Sequence, residues 1–167
     1  ASGRAEIDAV LEKGQAFGLP SKRAMALDFG CGVGRLTQAL ARHFERCEGV
    51  DISPTMVEEA RRLNPYGERC TFVQSDAPDL RRYQDASIDF AYSNIVLQHM
   101  PPANALTYVR ELVRILRPRG LLVFQVPHAR RNWHLPGLGG RVGRMIARLR
   151  GLPFMEMNGI PRPSIEA

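Results

Sequence analysis

Ala26-Leu27-Asp28-Phe29-Gly30-Cys31-Gly32-Val33-Gly34-Arg35-Leu36-Thr37 is the stretch on which the fold turns. An apolar run carrying Asp28 leads into glycines at 30, 32 and 34, and a helical pattern begins with Leu36. The stretch therefore reads as a strand, a tight turn of nearly bare backbone and the start of a helix. Alternating glycines let the turn adopt positive φ and let a ligand lie against the main chain without Cβ atoms in the way. Turns of this kind at the carboxyl edge of a parallel sheet receive nucleotide-like ligands. A dinucleotide fingerprint, G-x-G-x-x-G, would place its third glycine at position 35, where this chain has Arg35. A nicotinamide-dependent oxidoreductase is thus a minor alternative.

Outward from that turn the sequence alternates strand and helix patterns. Helices are expected over 4–17, 34–46, 54–63 and 102–116, and strands over 24–29, 47–51, 71–75, 87–93 and 120–126. A short helical or turn segment is expected over 78–83. The helix over 102–116 is the clearest. Pro101 and Pro102 suit its start, and Ala105, Leu106, Val109, Leu112, Val113 and Leu116 form one apolar stripe at helical spacing. Such alternation predicts an α/β fold, a doubly wound and mostly parallel sheet with ligands at its carboxyl edge.

Five segments in order then carry a family resemblance. Asp28-x-Gly30-x-Gly32-x-Gly34 resembles motif I of the class I S-adenosylmethionine-dependent methyltransferases. Gly49-Val50-Asp51-Ile52 ends a second strand in an acid suited to accept hydrogen bonds from two ribose hydroxyls. Thr71 to Ala77 is a third strand ending at Asp76, and Ser87 to Ser93 looks like the family's fourth. Arg117-Pro118-Arg119-Gly120-Leu121-Leu122 is similar to its turn into a fifth. The resemblance implies S-adenosyl-L-methionine as cofactor on a Rossmann-like fold. It implies cofactor contacts from Asp28, Gly30, Cys31, Gly32, Gly34, Asp51, Ile52, Met56, Asp76, Ala77, Ser93 and Asn94. Two of these also have plain readings: Asp51 as a cap for the helix beginning near Ser53-Pro54, and Asp76 as the opening of a turn. Cys31 reads as a small buried side chain rather than a reactive thiol.

The chain has 167 residues and a formal net charge of +6, with 44% hydrophobic and 24% charged residues, ordinary values for a globular domain. Residues 1–111 hold 13 basic and 15 acidic residues, whereas 112–167 hold 10 arginines against Glu156 and Glu166. The positive charge therefore belongs to the C-terminal part. Arg141, Arg144, Arg148 and Arg150 surround Val142, Met145, Ile146 and Leu149 in a pattern expected for a short amphipathic helix. A solvated cover, a peripheral membrane surface or an anionic small substrate would each suit it, and nucleic-acid-binding motifs are absent. Cys31, Cys47 and Cys70 have no metal-ligand spacing, so no metal site is expected. Their odd number and the lack of a membrane-length apolar run point to the cytoplasm. The expected division is a cofactor-binding domain over 1–127 and an Arg/Gly/Pro-rich segment over 128–167 on the substrate side. In that segment the family's C-terminal β-hairpin is incomplete, as expected of a trimmed product of a longer protein.

The implied reaction moves a methyl group to oxygen or carbon of a small molecule, with lipid-linked and anionic acceptors both open. After the fourth strand stands Ser93-Asn94-Ile95-Val96-Leu97-Gln98-His99-Met100, similar to small-molecule members, rather than an Asn/Asp-Pro-Pro-aromatic signature. His99 is the leading candidate base, with a packing or capping role beneath Pro101-Pro102 as its plain reading and His128 and His134 as rivals. A monomer or homodimer is expected. The second reading is a catalytically silent cofactor-binding subunit that docks a partner.

Overall fold

The computed structural model describes residues 3–126. The elements are α1 (Gly3–Gln15), β1 (Met25–Phe29), α2 (Arg35–Leu40), β2 (Arg46–Asp51), α3 (Pro54–Arg62), β3 (Cys70–Gln74), β4 (Ile88–Ser93), α4 (Pro102–Ile115) and β5 (Leu116–Phe124). All strand pairings are parallel and the order is β3-β2-β1-β4-β5. The chain thus extends the sheet one way from β1 to β3 and the other way from β4 to β5. The order reverses between β1 and β4.

Side chains alternate across the sheet because successive Cβ atoms on a strand point to opposite faces. Ala26, Cys47, Cys70, Phe72, Phe90 and Tyr92 face one core, completed by Ile7, Val10 and Leu11 of α1, Leu36 and Leu40 of α2 and Val57 of α3. Leu27, Phe29, Val50, Ile88 and Ala91 face the other, closed by Ala105, Val109, Leu112 and Ile115 of α4. The predicted α/β doubly wound architecture is therefore observed, with the inner strands β1 and β4 buried nearly throughout.

Two elements differ from expectation. The helix expected over 34–46 stops at Leu40 and gives way to a turn. There the amides of Arg42 and His43 bond three residues back, and those of Glu45 and Arg46 bond the carbonyls of Arg23 and Ala24. Pairing with the segment before β1 captures the chain early. At the other end β5 begins at Leu116, not 120, with a register shift between Ile88 and Phe90. Leu116 pairs with Ile88, and the Arg117 guanidinium lies 2.9 Å from both Asp89 oxygens, which draws Arg117-Pro118-Arg119 into the strand. The segment over 78–83 is a turn. The Arg-rich segment over 141–150 and the expected hairpin region lie outside the described residues.

Asp89 is the main polar anchor of the sheet's amino end. It is 2% exposed and accepts the amides of Ala24 (3.0 Å) and Met25 (2.9 Å) as well as Arg117. Asp89→Ala leaves two backbone donors and a guanidinium without their acceptor. It should cost about 3–5 kcal/mol in urea unfolding, the range for breaking a buried pair, while a folded sample keeps its ligand affinity because the carboxyl edge is untouched.

Candidate functional site

The glycine turn joins β1 to α2 at the carboxyl edge, beside the reversal in strand order. The amides of Gly30 and Cys31 both bond the Val50 carbonyl, at 2.7 and 3.0 Å, so the turn is pinned to β2. Gly30, Gly32 and Gly34 have φ of +79°, +53° and +79°, a region in which a side chain is strained. Their surroundings differ, however. A Cβ on Gly30 would lie 2.1 Å from Val96 Cγ2, and one on Gly34 2.5 Å from the Phe72 ring. A Cβ on Gly32 would meet nothing within 4 Å. The expectation that all three glycines keep the turn bare for a ligand therefore divides. Gly30 and Gly34 make room for the protein's own side chains, and Gly32 faces open space.

Asp28 lies beneath this turn. It is 1% exposed, and its Oδ2 accepts the Thr37 hydroxyl at 2.7 Å, tying β1 to α2. Burial is the largest cause that raises its pKa from 3.8 to about 6, and the Thr37 hydrogen bond opposes it. As placed, this carboxyl supports the turn from within the core. Cys31 is likewise buried, and burial pushes its thiol well above the ordinary range, so the sulfur stays protonated.

Asp51 stands on the rim. Its Oδ2 accepts the Gly32 amide at 2.8 Å and its Oδ1 the Ser53 amide at 2.9 Å. Ser53, not Asp51, caps α3, accepting the Met56 amide through its side chain. Each carboxylate oxygen retains capacity for a further donor. Ile52, 68% exposed, and Met56 on the first turn of α3 are exposed nearby in the chain. Val33 and Ile95, also exposed, follow β1 and β4, so large apolar side chains recur in the loops of this edge.

Asp76 and Ala77 follow β3 and are exposed. The Ala77 carbonyl accepts the Tyr108 hydroxyl at 2.7 Å, and the Tyr108 ring lies 4.7 Å from Phe29. Burial, then the negative charge of Asp79, raises the Tyr108 pKa, which keeps the hydroxyl a donor. Sequence reasoning missed Tyr108, whose only signal is a polar-tipped ring inside the helical pattern of α4.

At the end of β4, Ser93 is 1% exposed and its hydroxyl has no hydrogen-bond partner among the described residues. Asn94 donates through Nδ2 to Glu6 Oε1 at 2.7 Å. Ile95 has φ +65°, an outlier for a β-branched residue, and Val96 packs over Gly30. His99 ends the single helical turn Leu97–His99, exposed, with Nε2 3.2 Å from Gln98 Nε2. His128 and His134 lie outside the described residues. Among the described residues no group of three or more His, Cys, Asp or Glu could hold a metal ion, and no helix is long and apolar enough to cross a membrane.

Residues 27–124 match the family model described as a methyltransferase domain. The chain belongs to that family. It is a class I, S-adenosylmethionine-dependent methyltransferase domain, with the Rossmann-like sheet expected of one. Among curated proteins it is similar to the trans-aconitate 2-methyltransferase of Escherichia coli O139:H28, 36% identical over 112 residues, covering 65% of this chain and 40% of that protein. Among solved structures it is similar to an S-adenosylmethionine-dependent methyltransferase of Mesorhizobium loti (26% identity, TM-score 0.55, 68% and 51% of the two chains). It is also similar to the 4+2 cyclase SpnF (28% identity, TM-score 0.56, 70% and 43%). The chain spans about two fifths of the length of the curated relatives it matches.

Two outcomes test the site as built. Gly32→Ala should fold at a cost of roughly 1–2 kcal/mol for its left-handed φ. Gly34→Ala adds a collision with Phe72 and should cost about 3 kcal/mol or more; urea unfolding of both variants ranks them. The stability contribution of Asp28, with its raised pKa, is present below about pH 4 and lost as pH rises through about 6. Asp28→Asn does not titrate, so its stability relative to the parent should grow from near zero at pH 4 to about 3 kcal/mol at pH 7.5. A difference independent of pH would refute that ionisation.

Proposed function

We propose that this methyltransferase domain binds S-adenosyl-L-methionine across the β1–β4 crevice and transfers its methyl group to an oxygen, or to a carbon, of a small anionic molecule. The observation that carries the cofactor assignment is the open face of Gly32 beside an Asp51 carboxylate already aligned by two backbone amides. In this reading Gly32 lets the methionine portion approach the main chain, and Asp51 accepts the ribose hydroxyls. Ile52 and Met56 offer apolar surface to the adenine, whose edge meets Asp76 and the Ala77 amide. Ser93 and Asn94 border the methyl-donor end. Asp28, Gly30, Gly34 and Cys31 hold the turn in shape from behind.

The cofactor supplies an activated methyl on a sulfonium sulfur that departs as a neutral thioether, so no protein acid is needed at that atom. What the chain's residues contribute is alignment of acceptor, methyl and sulfur, worth up to about 7–11 kcal/mol in favourable cases. The curated relatives in E. coli are trans-aconitate methyltransferases; trans-aconitate is a small tricarboxylate. A carboxylate oxygen is already ionised at neutral pH and needs no base. A hydroxyl acceptor must lose a proton, and His99, exposed just past β4, is the described residue suited to receive it. The excess of arginine over acid in 112–167 also favours an anionic acceptor.

The silent-subunit reading stays in view for one reason: SpnF shares this fold at 28% identity and is a cyclase. Binding and turnover must therefore be measured separately. Calorimetry should show micromolar binding of S-adenosylmethionine and S-adenosylhomocysteine and none of nicotinamide dinucleotides; the reverse pattern defeats the assignment. Asp51→Ala should weaken binding by about 1.5–3 kcal/mol, the range for charge-assisted hydrogen bonds. Transfer of labelled methyl to trans-aconitate or related polycarboxylates tests the acceptor class, and cofactor binding without transfer to any acceptor supports the silent subunit.

A further inference from the structure

Glu6 lies on α1, outside the matched region 27–124 and far in sequence from every motif. Its carboxylate nevertheless collects three side chains from both walls of the crevice. Oε1 accepts the Tyr92 hydroxyl at 2.8 Å and Asn94 Nδ2 at 2.7 Å, and Oε2 lies 3.2 Å from Arg35 Nη2. Tyr92 is the penultimate residue of its strand, next to the orphaned Ser93, Asn94 follows β4, and Arg35 is the first residue of α2 after the glycine turn. One acid thus joins the two segments that flank the reversal in strand order. Burial, then the hydrogen bond to Glu6, raises the Tyr92 pKa, so its hydroxyl remains a donor to this acid.

The bend itself needs holding. Ile95 sits at φ +65°, where a β-branched residue is strained, and its side chain is 52% exposed, so burial does not compensate. Its neighbours restrain it from both sides: Asn94 through Glu6, and Val96 through its packing against Gly30. A strained conformation persists only where the surroundings over-determine it, and Glu6 is one of the two restraints.

We propose that Glu6 is a positioning residue for the methyl-donor end of the crevice, holding Asn94 and Arg35 on one carboxylate so that the Asn94–Val96 bend and the glycine turn keep a fixed separation. It acts through those residues and does not itself meet the cofactor. This rests on the cofactor reading above.

The test uses calorimetry of the 167-residue chain with S-adenosylhomocysteine, alongside thermal unfolding. Glu6→Ala should weaken binding at least tenfold. Glu6→Gln, which keeps an acceptor oxygen for Tyr92 and Asn94 but turns its amide donor toward Arg35, should bind between Glu6→Ala and the parent. Asp8→Ala is the control for loosening α1 in general, because Asp8 ties the same helix to His43 at 2.7 Å without touching the crevice; it should lower the unfolding temperature and leave affinity unchanged. Should Glu6→Ala fail to fold, Asn94→Asp serves instead. It sets two carboxylates against each other and should lose affinity, and adding Glu6→Gln, whose amide can donate to the new acid, should recover it. Parent-like affinity in folded Glu6→Ala, an equal loss in Asp8→Ala, or additive effects of Asn94→Asp and Glu6→Gln would each overturn the proposal. A folded parent that binds no S-adenosylhomocysteine defeats the cofactor reading itself, a distinct result.

Discussion

The carboxyl edge of this sheet depends on how closely the turn after β1 approaches its neighbours. With no side chain at Gly30, Val96 settles over the turn from the β4 side; with none at Gly34, Phe72 of β3 and Ala60 of α3 close on it from the other. Gly49 does the same service from β2, where a Cβ would press on Thr37 and Cys31 at under 3 Å. The turn is thereby fixed by contact on three sides, and its fourth side, at Gly32, faces open space. Close packing on those three sides gives the turn a fixed shape with one open face.

Polar groups then distribute by depth. Asp28 is buried, which raises its pKa to about 6, and its carboxylate accepts inward from Thr37. Asp51, at the rim, is oriented by amides of Gly32 and Ser53 but keeps capacity to accept more. Asp89, at the opposite end of the sheet, is fully engaged by Ala24, Met25 and Arg117. Three aspartates at strand positions are therefore a buried support for the turn, a rim carboxylate held by two amides and an anchor of the fold. The difference lies in what reaches each carboxylate, since the side chain is the same.

Neither strand order nor fold alone decides the chemistry at such an edge, and the similarity to a cyclase illustrates the point. What narrows the reaction is local: a bare Gly32, a prepared Asp51, and a β4 exit without the Asn/Asp-Pro-Pro-aromatic signature. The curated relatives are about two and a half times as long as the matched region.

The sequence by itself determined the α/β alternation, the strands ending at Asp51 and Ser93, and the family, because hydrophobic periodicity and glycine spacing are local properties written in consecutive residues. It also located α4 closely, from Pro102 at its start and its apolar stripe. It overestimated α2 and started β5 late, since both boundaries are set by partners distant in the chain: Arg23 and Ala24 for the first, Ile88 and Asp89 for the second. Only the tertiary structure decided which glycine faces open space, which aspartate is buried, and that Glu6 bonds Asn94 after β4 and Tyr108 bonds Ala77 after β3 from helices carrying no motif. Those distinctions depend on what packs above each residue across the sheet, and no local spacing records a contact made 88 residues away, as between Glu6 and Asn94.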